Sequence, residues 1–226
     1  GAMRGELAYD IDGAVVKLND LEDRRKCPDT AKNGGWLVAY KYPPEEKETV
    51  VRDIELSVGR TGRVTPTAVF DPVRLCGTTV TRATLHNQDF ITDKDIRIGD
   101  TIVLHKSGDI IPKITMVEWE KRPADAVPYD MAKQVCPVCG APIVPVNGSV
   151  DLYCTNDTCP AKTVNRVIHF ASKPCMDIKG LGPQMIQDLV DSRFIENPVD
   201  LYWLYEEEGE LTNMYGAKIA KKVLAA

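Results

Sequence analysis

The chain has 226 residues, enough for one or two domains of usual length. Its 43% hydrophobic and 27% charged residues are ordinary for a soluble folded protein, and no apolar run is long enough to span a bilayer. The net charge of −5 argues against a polyanionic partner for the chain as a whole. The first three residues, Gly-Ala-Met, are typical of an expression remnant, so we expect the natural chain to start earlier.

The charge is unevenly distributed along the chain. Residues 196–210 contain six acidic side chains and no lysine or arginine, whereas residues 60–82 contain four arginines and one aspartate. A local basic patch governs contact with nucleic acid more than the total charge does. The arginine-rich stretch is therefore a candidate nucleic-acid contact.

The first segment predicts two strands, at residues 12–18 and 36–42, with a loop over residues 21–35. Each strand carries one lysine, Lys17 or Lys41, in a mostly apolar run. Two lysines that converge on one point would suit a phosphate. Two ordinary edge-strand lysines explain the same spacing.

Short strand-like runs recur in the second segment, with turn signals between them such as Asp71-Pro72 and Gly77. The predicted strands are residues 50–51, 54–58, 67–70, 101–104 and 110–117. Many short strands in so short a stretch predict a small closed barrel, and an OB-fold fits the length.

The turn Arg60-Thr61-Gly62-Arg63 carries two arginines, and Arg82 follows in a threonine-rich run. Arginine and small hydroxyl side chains are residues that commonly bind the phosphate backbone of nucleic acids. The aromatic content here is thin, which favours contact with a duplex backbone over base stacking on a single strand. A solvated barrel loop is the alternative interpretation.

Four cysteines, Cys136, Cys139, Cys154 and Cys159, have the spacing C-x2-C-x14-C-x4-C. Two close pairs at this separation suit tetrahedral Zn²⁺, and two disulfides are the alternative. Three further cysteines, Cys27, Cys76 and Cys175, show no pairing pattern, which favours a reducing compartment and a metal. Because no histidine lies in the knuckles to suggest an open, catalytic position, we expect a structural zinc ion and not a catalytic one.

The last segment predicts helices joined by glycine turns. Residues 164–170 form an amphipathic pattern, and Gly180-Leu181-Gly182 predicts a tight turn before the next helix. Such a turn exposes backbone N–H groups to a phosphate, as in helix-hairpin-helix DNA binding. A similar unit at residues 214–224 carries Lys218. A pair of purely structural helix hairpins is the alternative.

Together these motifs resemble the NAD⁺-dependent bacterial DNA ligases along almost the whole chain. The resemblance rests on seven motifs in the order in which the family has them. The first five are Ile-Asp-Gly-Ala-Val-Val-Lys at 11–17, Ala-Tyr-Lys-Tyr-Pro at 39–43, the stretch 58–66 that begins Val-Gly-Arg-Thr-Gly-Arg, and the stretches 77–87 and 95–100. The last two are the four cysteines and His169-Phe170-Ala171-Ser172, which leads into the glycine turn. Each motif is weak alone, but the ordered set is specific.

The resemblance implies an enzyme that seals nicks by joining a 5′-phosphate to a 3′-hydroxyl through an AMP intermediate, with NAD⁺ and Mg²⁺ in the full-length protein. It implies that Lys17 and Lys41 line the adenylate pocket and neutralise the AMP phosphate, and that Asp12 assists metal or phosphate positioning. The other parts would close around nicked double-stranded DNA. We expect a monomer in the bacterial cytoplasm, without a membrane partner.

The sequence departs from the family pattern in three places. The nucleophile motif Lys-x-Asp-Gly is not present in this sequence, since Asp10-Ile11 precedes Asp12-Gly13. We also expect the family's N-terminal domain, which binds the nicotinamide half, to be absent from this fragment. We therefore expect this fragment not to self-adenylate. Residues 32–36 replace a segment in which the family carries arginine and proline, and the last hairpin lacks the first glycine of the usual turn.

The sequence thus predicts a multidomain α+β chain with four parts. These are the tail of a nucleotidyltransferase (adenylation) domain at 1–47, a small OB-fold β-barrel at 48–125, a four-cysteine zinc finger at 126–162 and part of an all-α helix-hairpin-helix domain at 163–226. One alternative function is a non-catalytic nucleic-acid-binding module, with OB-fold and zinc ribbon, of another replication or repair protein. A protein-interaction module that zinc stabilises, without salt-dependent affinity for DNA, is a further alternative.

Overall fold

The computed structural model describes residues 13–29, 34–41, 44–107, 110–146 and 148–225. None of the helices in these ranges combines the length and the hydrophobicity that a membrane span requires.

The first segment forms a two-stranded antiparallel ribbon of β1 (Gly13–Lys17) and β2 (Leu37–Lys41). Between the strands lies helix α1 (Leu21–Lys26), where the sequence predicted only loop. The carboxylate of Asp20 caps this helix by accepting hydrogen bonds from two backbone N–H groups of its first turn. The N-terminal cap at Asp20 therefore stabilises a helix in a stretch whose composition predicted a loop.

The second segment is a five-stranded antiparallel barrel. Its strands are β3 (Glu46–Val58), β4 (Arg63–Leu75), β5 (Thr78–Thr84), β6 (Thr101–Ser107) and β7 (Ile111–Val117). Hydrogen bonding follows the order β7-β6-β3-β4-β5, and β5 approaches β7 on the far side. Buried aliphatic side chains fill the interior, so the predicted small barrel is present.

Two predictions for the barrel were wrong in detail. Asp71-Pro72 lies inside β4 and not in a turn, because the ladder to β5 is interrupted between Val69 and Val73 and so tolerates a proline without an N–H group. Residues 50–51 and 54–58 belong to one long strand. Strand β5 and helix α2 (Gln88–Lys94), which follows it, were not predicted.

The cysteine-rich segment adds two short strands, β8 (Ile143–Pro145) and β9 (Leu152–Cys154), to the same sheet. Strand β9 pairs with the start of β4, with Tyr153 opposite Arg63. Two 3₁₀ helices, Trp119–Lys121 and Met131–Lys133, lie in the connection from the barrel. Hydrogen bonds of the sheet therefore join the cysteine-rich module to the barrel.

The last segment is helical. It contains α3 (Pro160–Ala171), α4 (Pro183–Asp191), a 3₁₀ helix (Pro198–Glu207), α5 (Glu208–Tyr215) and α6 (Ala217–Leu224). A second hydrophobic core lies among these helices, separate from the barrel core. Helix α3 runs through the predicted domain boundary at 162/163, so one rigid element leads from the cysteines into the helical core.

Candidate metal centre and nucleic-acid interface

The four predicted metal ligands come together. The Sγ atoms of Cys136 and Cys159 are 3.8 Å apart, those of Cys139 and Cys154 are 3.5 Å apart, and all four lie within 4.8 Å of one another. A tetrahedral zinc ion with Zn–S bonds of about 2.3 Å requires sulfur–sulfur separations of about 3.8 Å. A disulfide requires an Sγ–Sγ distance of about 2.05 Å, and none of these four cysteines is joined in a disulfide. The residues therefore fit a metal ion and not two disulfides.

The backbone around the first cysteine pair forms a tight knuckle. Gly140 adopts a φ of 71° and donates its N–H to the carbonyl of Cys136, 2.9 Å away. The N–H of Ala141 points at the sulfur of Cys139 and lowers the pKa of that thiol to about 6. Burial has the opposite effect on Cys154, whose pKa is raised to about 12. A bound cation would favour the thiolate at every position, since metal ligands must be deprotonated.

The predicted arginine turn is the tip of the β3–β4 hairpin. Its backbone is closed by a hydrogen bond of 2.8 Å from the N–H of Gly59 to the carbonyl of Arg63 and by one of 2.9 Å from the N–H of Gly62 to the carbonyl of Gly59. Arg60 and Thr61 are exposed at the tip, whereas Gly62 is buried. Gly62 has a φ of 89°, a conformation that favours glycine. The tip is a defined turn and not a loose loop.

The structure divides the predicted arginines into two kinds. Arg63 forms an ion pair of 2.8 Å with Asp151 of the cysteine-rich module, and Arg82 forms one of 2.9 Å with Glu55. Among the described residues Arg60 makes no ion pair, so its charge is uncompensated at the hairpin tip. Arg60 is therefore the clearest candidate in this turn for contact with an anion.

The predicted glycine turns each precede a helix. Gly180 has a φ of 93°, and Gly182 is the residue before Pro183, which begins α4. Gly216, with a φ of 83°, precedes α6, where Lys218 is exposed. An added Cβ at Gly180 would contact the side chain of Lys222 at 3.6 Å, so a turn and a lysine of α6 lie side by side. Backbone N–H groups at both helix starts and these lysines form positive surface.

The two lysines of the first segment do not meet. Lys17 is paired with Leu37 and Lys41 with Gly13, so the lysines share one face of the ribbon but lie at its opposite ends. The separation of four residues along a strand corresponds to about 13 Å. The predicted convergence on a single point is not seen in the ribbon itself. Asp12, which was assigned to the same pocket, lies outside the described residues.

Comparison with protein families identifies all three parts of the chain before the helices. A model of the NAD-dependent DNA ligase adenylation domain matches residues 1–45. A model of the NAD-dependent DNA ligase OB-fold domain matches residues 48–126, and a model of the C4 zinc finger domain of the same enzymes matches residues 135–161. The chain belongs to the NAD-dependent DNA ligase family. The predicted family, OB-fold and zinc finger are thereby confirmed.

Curated relatives agree with this membership. The chain is 49% identical to a DNA ligase of Lactobacillus helveticus over 225 residues and 49% identical to a DNA ligase of Acetivibrio thermocellus over 228 residues. It is 50% identical to a DNA ligase of Limosilactobacillus fermentum over 223 residues. The first two matches cover 100% of this chain and the third covers 99%, but the chain spans about a third of the length of these relatives.

Sequence reasoning missed the residues that tie the family's OB-fold to its zinc finger. Asp151 pairs with Arg63 across 88 residues of sequence, and Asn165 donates a hydrogen bond of 2.9 Å to the carbonyl of Val58 across 107 residues. Lys162 is 4% exposed and packs under Gly62. No spacing pattern within one chain links positions so far apart.

Proposed function

We propose that this chain is the DNA-gripping part of an NAD⁺-dependent DNA ligase that seals nicks in duplex DNA. The full reaction joins a 5′-phosphate to a 3′-hydroxyl through an AMP intermediate. The observation that carries the proposal is the match of three domain models of this one ligase family, in consecutive order along the chain. DNA ligases of about 49% identity over the whole chain support it.

The tip of the β3–β4 hairpin supplies the first DNA contact in this proposal. The exposed guanidinium of Arg60 and the hydroxyl of Thr61 would bind phosphate oxygens of the duplex backbone, which fix position without reading sequence. Arg63 and Arg82 would contribute less, because each already has a carboxylate partner.

The helical segment supplies the second contact. We assign α3–α4 and α5–α6 as two helix-hairpin-helix units, with the turns at Gly180-Leu181-Gly182 and Gly216 directed at the DNA backbone. Support comes from the positive φ angles at Gly180 and Gly216 and from the exposed Lys218. N–H groups at a helix start bind phosphate readily.

The zinc ion holds this assembly together and takes no part in the chemistry. Cys136, Cys139, Cys154 and Cys159 would fill all four positions of a tetrahedral ion, which leaves none open for water or substrate. The metal then fixes the knuckle, strand β9 and the start of α3 in one place.

The ribbon at the start of the chain contributes to the adenylate pocket. NAD⁺ supplies the AMP group in this family, with Mg²⁺ assisting. Lys17 and Lys41 would lie at two ends of an extended ligand and offset different charges on it, since they lie about 13 Å apart along one face. Asp12 is assigned with them from the family motif.

Binding to a nicked duplex at two salt concentrations, with the intact duplex alongside, tests the proposal. We expect affinity that falls as salt rises, a preference for the nick, and a monomer when free. Arg60→Ala should weaken binding and reduce the slope of log affinity against log salt by about 1, because one phosphate contact is lost. Lys133→Ala removes an 80% exposed cation outside the turn, which lies 3.5 Å from the carboxylate of Asp130, and controls for the general loss of one positive charge.

Two results would contradict the proposal. Binding that does not depend on salt would exclude a grip on the phosphate backbone. An Arg60→Ala variant that binds like the wild type, with an unchanged slope, would exclude the hairpin tip as the contact.

A further inference from the structure

We propose that Asn165 and Lys162, on the helix that starts at the metal centre, are positioning residues for the DNA-binding hairpin tip. They would hold Arg60 in place and so couple metal binding to DNA affinity. This inference rests on the proposed function, because it assumes that Arg60 binds DNA.

The side-chain amide of Asn165 bridges the two modules. Its nitrogen donates one hydrogen bond of 2.9 Å to the carbonyl of Val58, the last residue of β3, and another of 2.9 Å to the carbonyl of Ala161 in its own helix. Val58 directly precedes the tip, which begins at Gly59. With both amide hydrogens used, the side chain cannot rotate without losing a bond at one end.

Lys162 supports the other side of the tip. It is 4% exposed, and its ammonium lies 3.6 Å from the carboxylate of the fully exposed Asp157. A Cβ added at Gly62 would overlap the Cε atom of Lys162 and lie 3.1 Å from its Nζ atom. The lysine stem therefore packs directly on the Gly62 backbone, with its charge directed to the solvent edge.

The metal site and the hairpin tip share backbone contacts. The N–H of Cys154 donates a hydrogen bond of 2.9 Å to the carbonyl of Gly62. Cys159 is the residue before α3, so Lys162 and Asn165 lie in the first two turns of a helix anchored at a metal ligand. Fixing the four sulfurs thus fixes both positioning side chains against the hairpin.

A tip held from two sides has fewer conformations to lose when DNA binds. The ordering cost of an exposed arginine turn lowers affinity, and pre-organisation removes part of that cost. Because Arg60 itself has no ion pair among the described residues, the backbone beneath it is what sets its position.

A double-mutant cycle between Asn165→Ala and Arg60→Ala tests this role, with affinity for a nicked duplex as the readout. Asn165→Ala alone should weaken binding severalfold and leave the zinc content at one ion per chain. In the Arg60→Ala background it should have no further effect, because the side chain that it positions has gone. Thr163→Ala is the control. Thr163 lies on the same helix, but among the described residues its side chain makes no hydrogen bond to the barrel, so this variant should bind DNA as the wild type does.

Lys162 is tested by two substitutions. Lys162→Met keeps the packing stem and should preserve affinity, whereas Lys162→Ala removes the stem and should weaken binding. A loss in Lys162→Met equal to that in Lys162→Ala would overturn the packing role. The melting temperature and zinc content of each variant will show whether it folds. If the variants of Lys162 fold poorly, the double-mutant cycle with Asn165→Ala still tests the positioning role, and the reverse also holds.

The outcomes separate the two proposals. Losses from Asn165→Ala and Arg60→Ala that simply add, or an Asn165→Ala variant with wild-type affinity, would overturn the positioning role while the DNA grip stands. No effect of Arg60→Ala in a protein that binds DNA would overturn the positioning role together with the hairpin-tip contact, whereas binding that does not depend on salt would overturn the DNA grip itself.

Discussion

Arg122 and Asp100 form a two-point ion pair in which the carboxylate is completely buried. The Nε and Nη2 atoms of Arg122 each lie 2.8 Å from an oxygen of Asp100, whose exposed fraction is 0%. Arg122 follows the last strand of the barrel, and Asp100 precedes β6. The pair therefore fastens the connection towards the zinc finger to the base of the OB-fold, and Asp95 joins it through a further bond of 2.6 Å to Arg122.

Replacing Arg122 with methionine should destabilise the barrel by about 3–5 kcal/mol, because it leaves the Asp100 carboxylate buried without its partner. Denaturant unfolding of the chain measures this directly. Arg52→Met is the matched control: it removes an arginine from the exposed pair with Asp71 and should change stability little. Equal losses in the two variants would show that the burial of Asp100 does not matter.

The same network predicts how the barrel responds to acid. Hydrogen bonding to Arg97, followed by that to Arg122, lowers the pKa of Asp95 below its ordinary value. A carboxyl group with a lower pKa in the folded state stabilises the fold above its unfolded pKa, about 3.9, and this contribution is lost as pH falls through the folded pKa.

We therefore expect this contribution to stability to be lost as pH falls below about 4, and Asp95→Asn to reduce the dependence of stability on pH. Melting temperatures between neutral pH and about pH 3 measure it. If Asp95→Asn loses as much stability in acid as the wild type does, Asp95 is excluded as a source of the pH dependence.

Cys154→Ser should release the metal and loosen the joint between barrel and helices. Cys154 supplies both a sulfur of the cluster and the N–H that bonds to Gly62, so a loss of metal should reach the hairpin tip. We expect one zinc ion per wild-type chain, markedly less in the variant, and a lower melting temperature for the zinc finger and α3. Elemental analysis and calorimetry provide the two readouts.

Cys175→Ser is the control for that experiment, since Cys175 is exposed and lies apart from the four-cysteine cluster. It should retain zinc and melt as the wild type does. A Cys154→Ser protein with full zinc content and unchanged melting would contradict the structural role of the metal.

The parts predicted well from sequence are those with a local physical signature. The spacing of the cysteines predicted the sulfur cluster, because the ligands lie on two short knuckles. The positions of the glycines predicted the turn before α4. The wrong details came from competition between local and distant forces. Asp71-Pro72 has the composition of a turn, yet pairing with β3 at Phe70 keeps it within a long strand.

The contacts of the candidate interface could not be predicted in the same way. The sequence alone assigns Arg60 and Arg63 equal weight, but the fold neutralises Arg63 through Asp151, which lies 88 residues away. Which arginine stays free depends on the docking of the zinc finger on the barrel. That docking is a tertiary relationship without a periodic pattern.

Gly62→Ala should destabilise the hairpin tip more than an ordinary glycine substitution does. Its φ of 89° alone costs an L-residue about 1–2 kcal/mol, and the new Cβ would also overlap Lys162. Gly77→Ala separates the two causes, because Gly77 has a similar φ of 75° with nothing within 4 Å of the added Cβ. The excess loss of unfolding free energy in Gly62→Ala over Gly77→Ala then measures the contact with the lysine. Combining Gly62→Ala with Lys162→Ala should remove much of that excess, and an excess that survives the second substitution would place the strain elsewhere.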